Sequence, residues 1–245
     1  MIGYRPQDSF GPDVAGQYKN VLRGDEVAAV ECLASLAQGG PVLELAIGAG
    51  RLALPLSARG MVVDGIDFSP AMIEQLRSQP GGRELNIFEQ DMVEFSTGSQ
   101  YQLIYVVWNS FFNILSQDDQ VRCLRRVAQH LTATGRFVVE AYVPSYLYRK
   151  ENNQYVEAES ILPQEVKLDV LRHDSATQTI EENHVTIGPS GVHLNPVVQR
   201  YAWPSEIDLM AQIAGLTLEH RWGGWTRPPF DSNSPHHVSC YVRRP

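Results

Sequence analysis

From residue 41 onward the chain alternates short apolar runs with segments whose apolar residues recur every three or four positions. PVLELA predicts a short buried strand, and GRLALPLSARG predicts a helix closed by Gly60. MVVDGID is a second strand. It leads into SPAMIEQLRSQ, a helix with Ser69 as N-cap and Pro70 in its first turn. ELNIFEQD and YQLIYVVWN read as strands, DDQVRCLRRVAQHL as a helix and TGRFVVEAYV as a further strand. Upstream, Asp25 is expected to cap a helix over VAAVECLASLA that ends at Gly39-Gly40. Strands and helices alternating at these lengths predict right-handed crossovers and a parallel sheet covered on both faces.

After Pro144 the texture changes. Residues 151–201 hold VKLDVLRHD, TQTIEENHVTI and GVHLNPVVQRYAW, β-branched alternation broken by polar turns, which predicts an inserted antiparallel sheet. PSEIDLMAQIAG is then a helix opened by Pro204 and Ser205 and closed by Gly215. LTLEHRWGG and HHVSCYVRRP would be the last two strands. With no repeat, low-complexity tract or linker, the expected organisation is one domain over 1–245. It comprises a helical cap (1–40), a ligand-binding core (41–143), a β insert (144–201) and a final part of the core sheet (202–245).

Composition narrows the partners. The 245 residues carry a formal net charge of -8 with 20 Lys and Arg, whereas nucleic-acid binding draws on a basic face. Arg122, Arg125 and Arg126 form the single tight basic cluster and fit a solvated helix face, so no nucleic-acid partner is expected. MIGYRPQDSFGPD lacks the charged and apolar regions of a secretory signal. No apolar run approaches the roughly 20 residues that span a bilayer, so no membrane partner is expected either. Cys32, Cys123 and Cys240 are odd in number and far apart, which points to a reducing compartment and a cytoplasmic location.

The chemistry centres on the turn between the first strand and its helix. Gly48 and Gly50 permit unusual backbone angles and close approach of a ligand, and the helix start behind them attracts an anion. Glu44, Asp67 and Asp91 stand at the ends of three consecutive strands, and in a doubly wound sheet ligands bind outside those ends. Three occupants are open: a dinucleotide, a nucleoside without phosphates, or none. GAGRLA matches the loose dinucleotide fingerprint, and Tyr146-x-x-x-Lys150 imitates the proton-delivering pair of short-chain dehydrogenases. Against a nicotinamide-dependent oxidoreductase stand the missing third glycine, Pro144, and the strand-like sequence that follows at once. A non-catalytic nucleoside-binding protein is the other alternative.

LELAIGAGR, DGIDFSPAM, EQDM, YQLIYVVWNSFFNILSQDDQ and HLTATGRFVVEAYVP, in this order and spacing, resemble class I S-adenosylmethionine-dependent methyltransferases. The likeness runs from about residue 10 to the C-terminus and is strongest over 41–143. Among the branches it resembles most the bacterial small-molecule enzymes, including sugar N-methyltransferases with a β insert after the fifth strand. The chain departs from the pattern at Ile47, where a small or sulfur-bearing residue is usual, and at Ala133-Thr134-Gly135, where a proline-glycine turn is usual. Trp108-Asn109-Ser110-Phe111 replaces the Asn-Pro-Pro-Tyr motif that marks methylation of planar nitrogens, which disfavours adenine and amide acceptors.

The resemblance implies an α/β fold, a doubly wound Rossmann-like seven-stranded sheet with its last strand antiparallel, plus the inserted antiparallel β-subdomain. It implies S-adenosyl-L-methionine as methyl donor and S-adenosyl-L-homocysteine as product. Backbone at Ala46, Gly48 and Gly50 would hold the methionyl part, with Glu44 supporting the loop. Asp67 would take the ribose hydroxyls. Phe68 and Met72 would flank adenine, with Asp91 and Met92 on its other side. Val107, Trp108 and Asn109 would border the methyl group, and Tyr18 of the cap could close over the sulfonium.

A methyl sulfonium is already activated, so a base is needed only where the acceptor must lose a proton. The candidate bases are His184 and His193 in the insert and His236 or His237 near the last strand. On the acceptor side the candidates are Trp108, Asn109, Phe111, Phe112 and Tyr142. Trp222 and Trp225, from the turn-rich HRWGGWTRPPF that also carries Phe230, are expected with residues 143–200 to wall the acceptor pocket. No grouping in the sequence shows metal-ligand spacing, and His236 and His237, adjacent on a strand, would face opposite ways, so no metal is expected. The expected partner is a small-molecule acceptor, or a peptide amine, with transfer to O, N or C left open, in a monomer or homodimer.

Overall fold

The computed structural model describes residues 3–18, 23–149 and 151–244, with backbone only at 8, 17, 18, 149 and 151. In chain order the helices are α1 (Pro12–Tyr18), α2 (Glu26–Ala37), α3 (Ala53–Ala58), α4 (Pro70–Arg77), α5 (Gln117–His130) and α6 (Pro204–Ile213). The strands begin with β1 (Val42–Leu45), β2 (Val63–Asp67), β3 (Asn86–Glu89), β4 (Tyr101–Val106) and β5 (Leu131–Tyr142). They continue with β6 (Gln154–Leu162), β7 (Glu165–Asp174), β8 (Thr179–Gly188), β9 (Gly191–Arg200), β10 (Leu216–Trp222) and β11 (His236–Arg243).

Seven strands form one sheet in the order β10-β11-β5-β4-β1-β2-β3. The run from β3 to β5 is parallel, while β11 lies antiparallel to both β5 and β10. Strand order reverses between β1 and β4, and at that switch point a crevice opens beyond the strand ends. One sheet face packs Leu43, Ile104 and Phe137 against Leu124 and Val127 of α5 and Ile207 of α6. The other packs Val42, Leu103 and Val138 against Leu33 of α2 and Leu56 of α3. Strands buried on both faces read as continuous apolar runs, which is why PVLELA and LIYVV carry no alternation.

Strands β6 to β9 form a separate antiparallel sheet in chain order. Its residues alternate faces, leaving Val156, Ile161, Val192 and Leu194 exposed on one side. It is tied to the helices by Arg200, whose guanidinium donates to Gln120 at 2.6 Å and Glu206 at 2.7 Å, and the Gln120 amide donates back to the Arg200 carbonyl. The N-terminal segment fastens both sheets. The Ser9 hydroxyl donates to the Pro196 carbonyl of β9, and the Ser69 hydroxyl donates to the Phe10 carbonyl.

Ser69 caps α4 as the sequence predicts, its hydroxyl accepting from Met72 N at 3.2 Å. Asp25 does not cap α2: its carboxylate makes no cap bond and instead accepts from Arg51 Nη1 at 2.7 Å. A guanidinium beside the glycine turn outcompetes the neutral helix amides for that carboxylate, because an ion-paired hydrogen bond is the stronger one. No helix among the described residues is long and apolar enough to cross a membrane.

Candidate active site

The ends of β1, β2 and β4 open onto a cavity of about 320 Å³ that continues to the second sheet. Its half beside the glycine turn is lined by Glu44, Ala46, Gly48, Arg51, Asp67, Phe68, Met72, Met92 and Val107, with Phe10 from the N-terminal segment. Gly48 and Gly50 are both in the left-handed region, but they do different work. A Cβ on Gly48 would meet nothing nearer than a carbonyl oxygen at 4.0 Å and would project into open space, whereas one on Gly50 would press on Leu76 and Leu54 at 3.0 to 3.2 Å. Gly48 therefore gives a ligand access to the backbone, and Gly50 lets α3 pack against α4.

Asp67 ends β2 nearly buried. Its Oδ2 accepts from Gly48 N at 2.8 Å and its Oδ1 from Ser69 N at 2.9 Å, so the carboxylate holds the glycine turn and faces the cavity at once. Burial raises its pKa and the backbone bonds oppose that rise. Glu44 is fully enclosed and accepts from the Tyr105 hydroxyl at 2.8 Å. Burial pushes its carboxyl up to about 8, against the pull of Tyr105 and Arg51.

Backbone strain gathers at the same place. Ala46, Trp108 and Asn109 have φ of 54°, 54° and 59° without being glycine, a conformation that costs about 1 kcal/mol or more each. At Trp108 and Asn109 it is held by Glu140 of β5, whose Oε2 accepts from Trp108 N at 3.0 Å and whose carbonyl accepts from Asn109 N at 3.3 Å. The Asn109 Oδ1 in turn accepts from Tyr142 N at 2.8 Å. The guanidinium of Arg23 lies 3.2 Å from the Trp108 ring centroid, and that of Arg51 lies 5.3 Å from it. Arg51 Nη1 is engaged by Asp25 and Glu26, but its buried Nη2 has no hydrogen-bond partner among the described residues.

The far half of the cavity is lined by Trp108, Asn109, Asn113, Tyr142, Tyr146, Glu182, His184, Asn195, Val197 and Gln199. His184 Nδ1 lies 2.6 Å from Asp169 Oδ1. That bond is the main cause of its raised pKa, opposed by burial and aided by Glu182. Burial raises the Glu182 carboxyl and likewise lifts the Tyr146 phenol far above its ordinary value.

Several sequence expectations meet a different placement. Asp91 is exposed and off the cavity, its side chain turned onto Val93 N at 2.8 Å in a local turn. Phe111 and Phe112 are fully buried behind the wall, Phe112 edge-on to Tyr142 at 5.0 Å. Trp222 and Trp225, expected to wall an acceptor pocket, do not line the cavity. β10 is the sheet edge remote from β1. Trp225 packs into the core that holds Leu33 of α2, and Trp222 stacks on His220 at 5.2 Å. His193 is exposed and bonded to Ser190, His236 is exposed at the start of β11, and His237 is buried against Ser239, its pKa pressed down to about 3 by burial; none of the three lines the cavity. The side chain of Tyr18 and all of Lys150 lie outside the described residues, and Tyr146 sits on a short 3-10 helix, Pro144–Arg149, not on a long helix.

Metal-ligating residue types are far apart in sequence, yet strand pairing brings polar atoms of Glu159, Asp169 and His184 within 4.8 Å of one another. Two of those residues are already joined by the His184–Asp169 hydrogen bond. The cavity also takes in Arg51, Glu182, Asn195 and Gln199, with Glu140 behind Trp108, none of which the sequence singles out. Arg51 stood in the quoted glycine motif. The others sit on strands, where only the register shows which face meets the cavity.

The donor implied by this architecture fits the residues present: an open backbone cradle at Gly48, a carboxylate at Asp67 and the buried Nη2 of Arg51, left without a hydrogen bond among the described residues, suit a nucleoside carrying an amino-acid carboxylate. Residues 42–135 match the family model of a methyltransferase domain. The fold superposes with a TM-score of 0.91 and 30% identity on the CcbJ methyltransferase from Streptomyces caelestis, covering 99% of this chain and 100% of that one. Cypemycin N-terminal methyltransferase from Streptomyces sp is 24% identical over 196 residues, 80% of each protein. SAM-bound CalS10, an amino pentose methyltransferase from Micromonospora echinaspora involved in calicheamicin biosynthesis, shares the fold at a TM-score of 0.70 and 16% identity, over 94% of this chain and 95% of that one. These likenesses support methyl transfer and not the nicotinamide oxidoreductase alternative. The chain belongs to the class I S-adenosylmethionine-dependent methyltransferases of the bacterial small-molecule type.

Proposed function

We propose that this enzyme methylates an amine nitrogen on a small molecule or a peptide N-terminus, without a metal, and that the β6–β9 sheet forms the acceptor wall of one continuous domain. The observation that carries the amine reading is the acceptor half of the cavity. Its ionisable lining is acidic or phenolic apart from His184, and a desolvated Glu182 carboxylate favours a cationic partner. The names of two relatives agree, one acting at the N-terminus of cypemycin and one on an amino pentose.

In the cofactor half, Asp67 has lone pairs left for the ribose hydroxyls, and Phe68, Met72 and Met92 offer an apolar slot for adenine. Backbone at Ala46 and Gly48 would hold the methionyl part, and Arg51 Nη2 would meet its carboxylate. S-adenosylmethionine supplies a methyl group already activated on sulfur. The chain's task is then to hold the acceptor in line with it, and such positioning contributes roughly 7–11 kcal/mol. Asn109, Tyr142 and Gln199 are placed to orient the acceptor, and Trp108, pinned by Glu140, to exclude water at the junction of the two halves.

The test is a methyl-transfer assay read by mass spectrometry. Its substrates are a tripeptide with a free N-terminus, an aminopentose, and the hydroxyl counterpart of each. Methylation of the amines and not of the hydroxyl compounds is expected; methylation of the hydroxyl compounds alone would overturn the amine assignment.

A further inference from the structure

Three titratable side chains of the second sheet converge on the acceptor end, and they do more than give it a negative charge. His184 on β8 is cross-strand partner to Asp169 on β7 and to Asn195 on β9. Glu182, two residues earlier, lies on the same face, and both it and His184 line the cavity. With His184 Nδ1–H donating to Asp169 at 2.6 Å, the lone pair of the neutral ring sits on Nε2. Nε2 lies 4.0 Å from Glu182 Oε2. Two acceptors at that separation are too far apart to bond to each other.

They are well spaced to share one nitrogen bearing two N–H groups. A donor about 2.8 Å from each would subtend an angle of roughly 90° between them, within hydrogen-bond tolerance of a tetrahedral ammonium. A hydroxyl, with one hydrogen, satisfies one acceptor and strands the other. The surrounding charges agree. Glu159 on β6 adds a carboxylate near His184, and the phenols of Tyr146 and Tyr155, both raised by burial, face Glu182.

We infer that His184 is the general base for the acceptor amine, that Asp169 is its positioning residue, and that Glu182 anchors the acceptor as a protonated aliphatic amine. This rests on the amine reading above. The ammonium gives one N–H proton to His184 Nε2, and the electron pair left on nitrogen forms the bond to the methyl carbon. The carbon–sulfur bond breaks with its electrons staying on sulfur, so the sulfonium's positive charge passes to the product ammonium, which again lies beside Glu182. The imidazolium returns its proton to solvent through the open cavity.

Two measurements test this. The first needs no acceptor: NMR titration of the histidine rings, with the His184 signal assigned by its loss in His184→Asn. Titration above the ordinary 6.5 is expected, falling toward it in Asp169→Asn. An unchanged titration in Asp169→Asn would overturn the positioning role. The second is the pH–rate profile with the tripeptide and aminopentose probes, S-adenosylmethionine affinity being measured alongside. His184→Asn should lower kcat at neutral pH by about 10²-fold or more. Activity should recover toward high pH, where the acceptor arrives already neutral. Glu182→Gln should raise KM for the amine at least tenfold with kcat little changed. A wild-type profile in His184→Asn would overturn the base assignment, and so would activity lost to EDTA and restored by Zn²⁺ or Mg²⁺, which would make the cluster a metal site. If the amine reading itself were wrong, the wild type would methylate hydroxyl probes and no amine while still binding S-adenosylmethionine, a result distinct from any of these.

Discussion

Arg51 offers the sharpest test of how the cofactor half works. Its Nη1 is engaged by Asp25 at 2.7 Å and Glu26 at 3.2 Å, while Nη2 is buried without a hydrogen-bond partner among the described residues. A buried donor in that state costs about 1–3 kcal/mol unless a ligand satisfies it, and a charge-assisted bond to a ligand carboxylate contributes about 1.5–3 kcal/mol. Arg51→Met keeps the packing against Trp108 and removes the guanidinium. It should weaken S-adenosylhomocysteine binding by roughly 10- to 150-fold, since each 1.36 kcal/mol is a factor of ten. The control ligand is 5′-methylthioadenosine, the same thionucleoside without the amino-acid carboxylate, whose affinity should change by less than about threefold. The lost ion pairs are largely buried, with Arg51 14% exposed, and their loss should lower stability by about 1.5–3 kcal/mol, so both titrations are run where each protein is folded. Calorimetric titration of both ligands into both proteins, with Arg51→Lys as a variant that keeps charge but loses the fork, measures the coupling directly. Equal weakening of the two ligands would refute the assignment, because it would place the effect in the fold of the turn and not in a carboxylate contact.

Other consequences follow from burial and close packing. The Glu44 carboxyl is held at about 8 against an ordinary 4.5, so the folded state binds more protons than the unfolded one across that window. Stability should therefore fall as pH rises from 4.5 to 8, by up to ~1.4 kcal/mol per pH unit, and Glu44→Gln should flatten the decline in urea unfolding. Parallel curves for the two proteins would refute this. Trp225→Ala should cost about 3–5 kcal/mol of stability, while Trp222→Ala leaves acceptor KM unchanged; a raised KM with the fold intact would put that turn back in the pocket. At Gly65 of β2 an added Cβ would lie 2.3 Å from Ile47 Cδ1, directly under the glycine turn. Gly65→Ala should cost about 1–3 kcal/mol and weaken donor binding, and Ile47→Val, which deletes that atom, should restore part of both.

The cofactor half was legible in the sequence because each of its parts is local. A strand end, its turn and the following helix cap lie within a dozen residues, so Gly48, Asp67, Ser69 and Met72 announce their positions by their neighbours. Gly50 was half read: the motif marks the turn correctly, but only the packing shows that its missing Cβ makes room for Leu54 and Leu76 and not for the ligand. The acceptor half is a matter of register. Glu182, His184, Asn195, Val197 and Gln199 keep a period of two, yet both faces of β7 and β8 carry polar and apolar residues, so alternation alone does not say which face turns inward. His184 and His193 therefore looked alike in sequence. Strand pairing sets Asp169 and Asn195 beside the first and leaves the second exposed near a hairpin turn with Ser190. The tryptophans misled for a different reason. A turn rich in glycine and proline with two indoles reads as a pocket wall when the sheet's far edge is not in view, whereas those rings cover the core beneath α2 and β10. On the proposed function, register separates the two halves of the chemistry: the local motif would bind the donor, while the acceptor would be chosen by which side chains the second sheet turns toward it. A change of acceptor in a related chain should accordingly appear at positions matching 182, 184, 195 and 199, with the turn at 46–51 left unchanged.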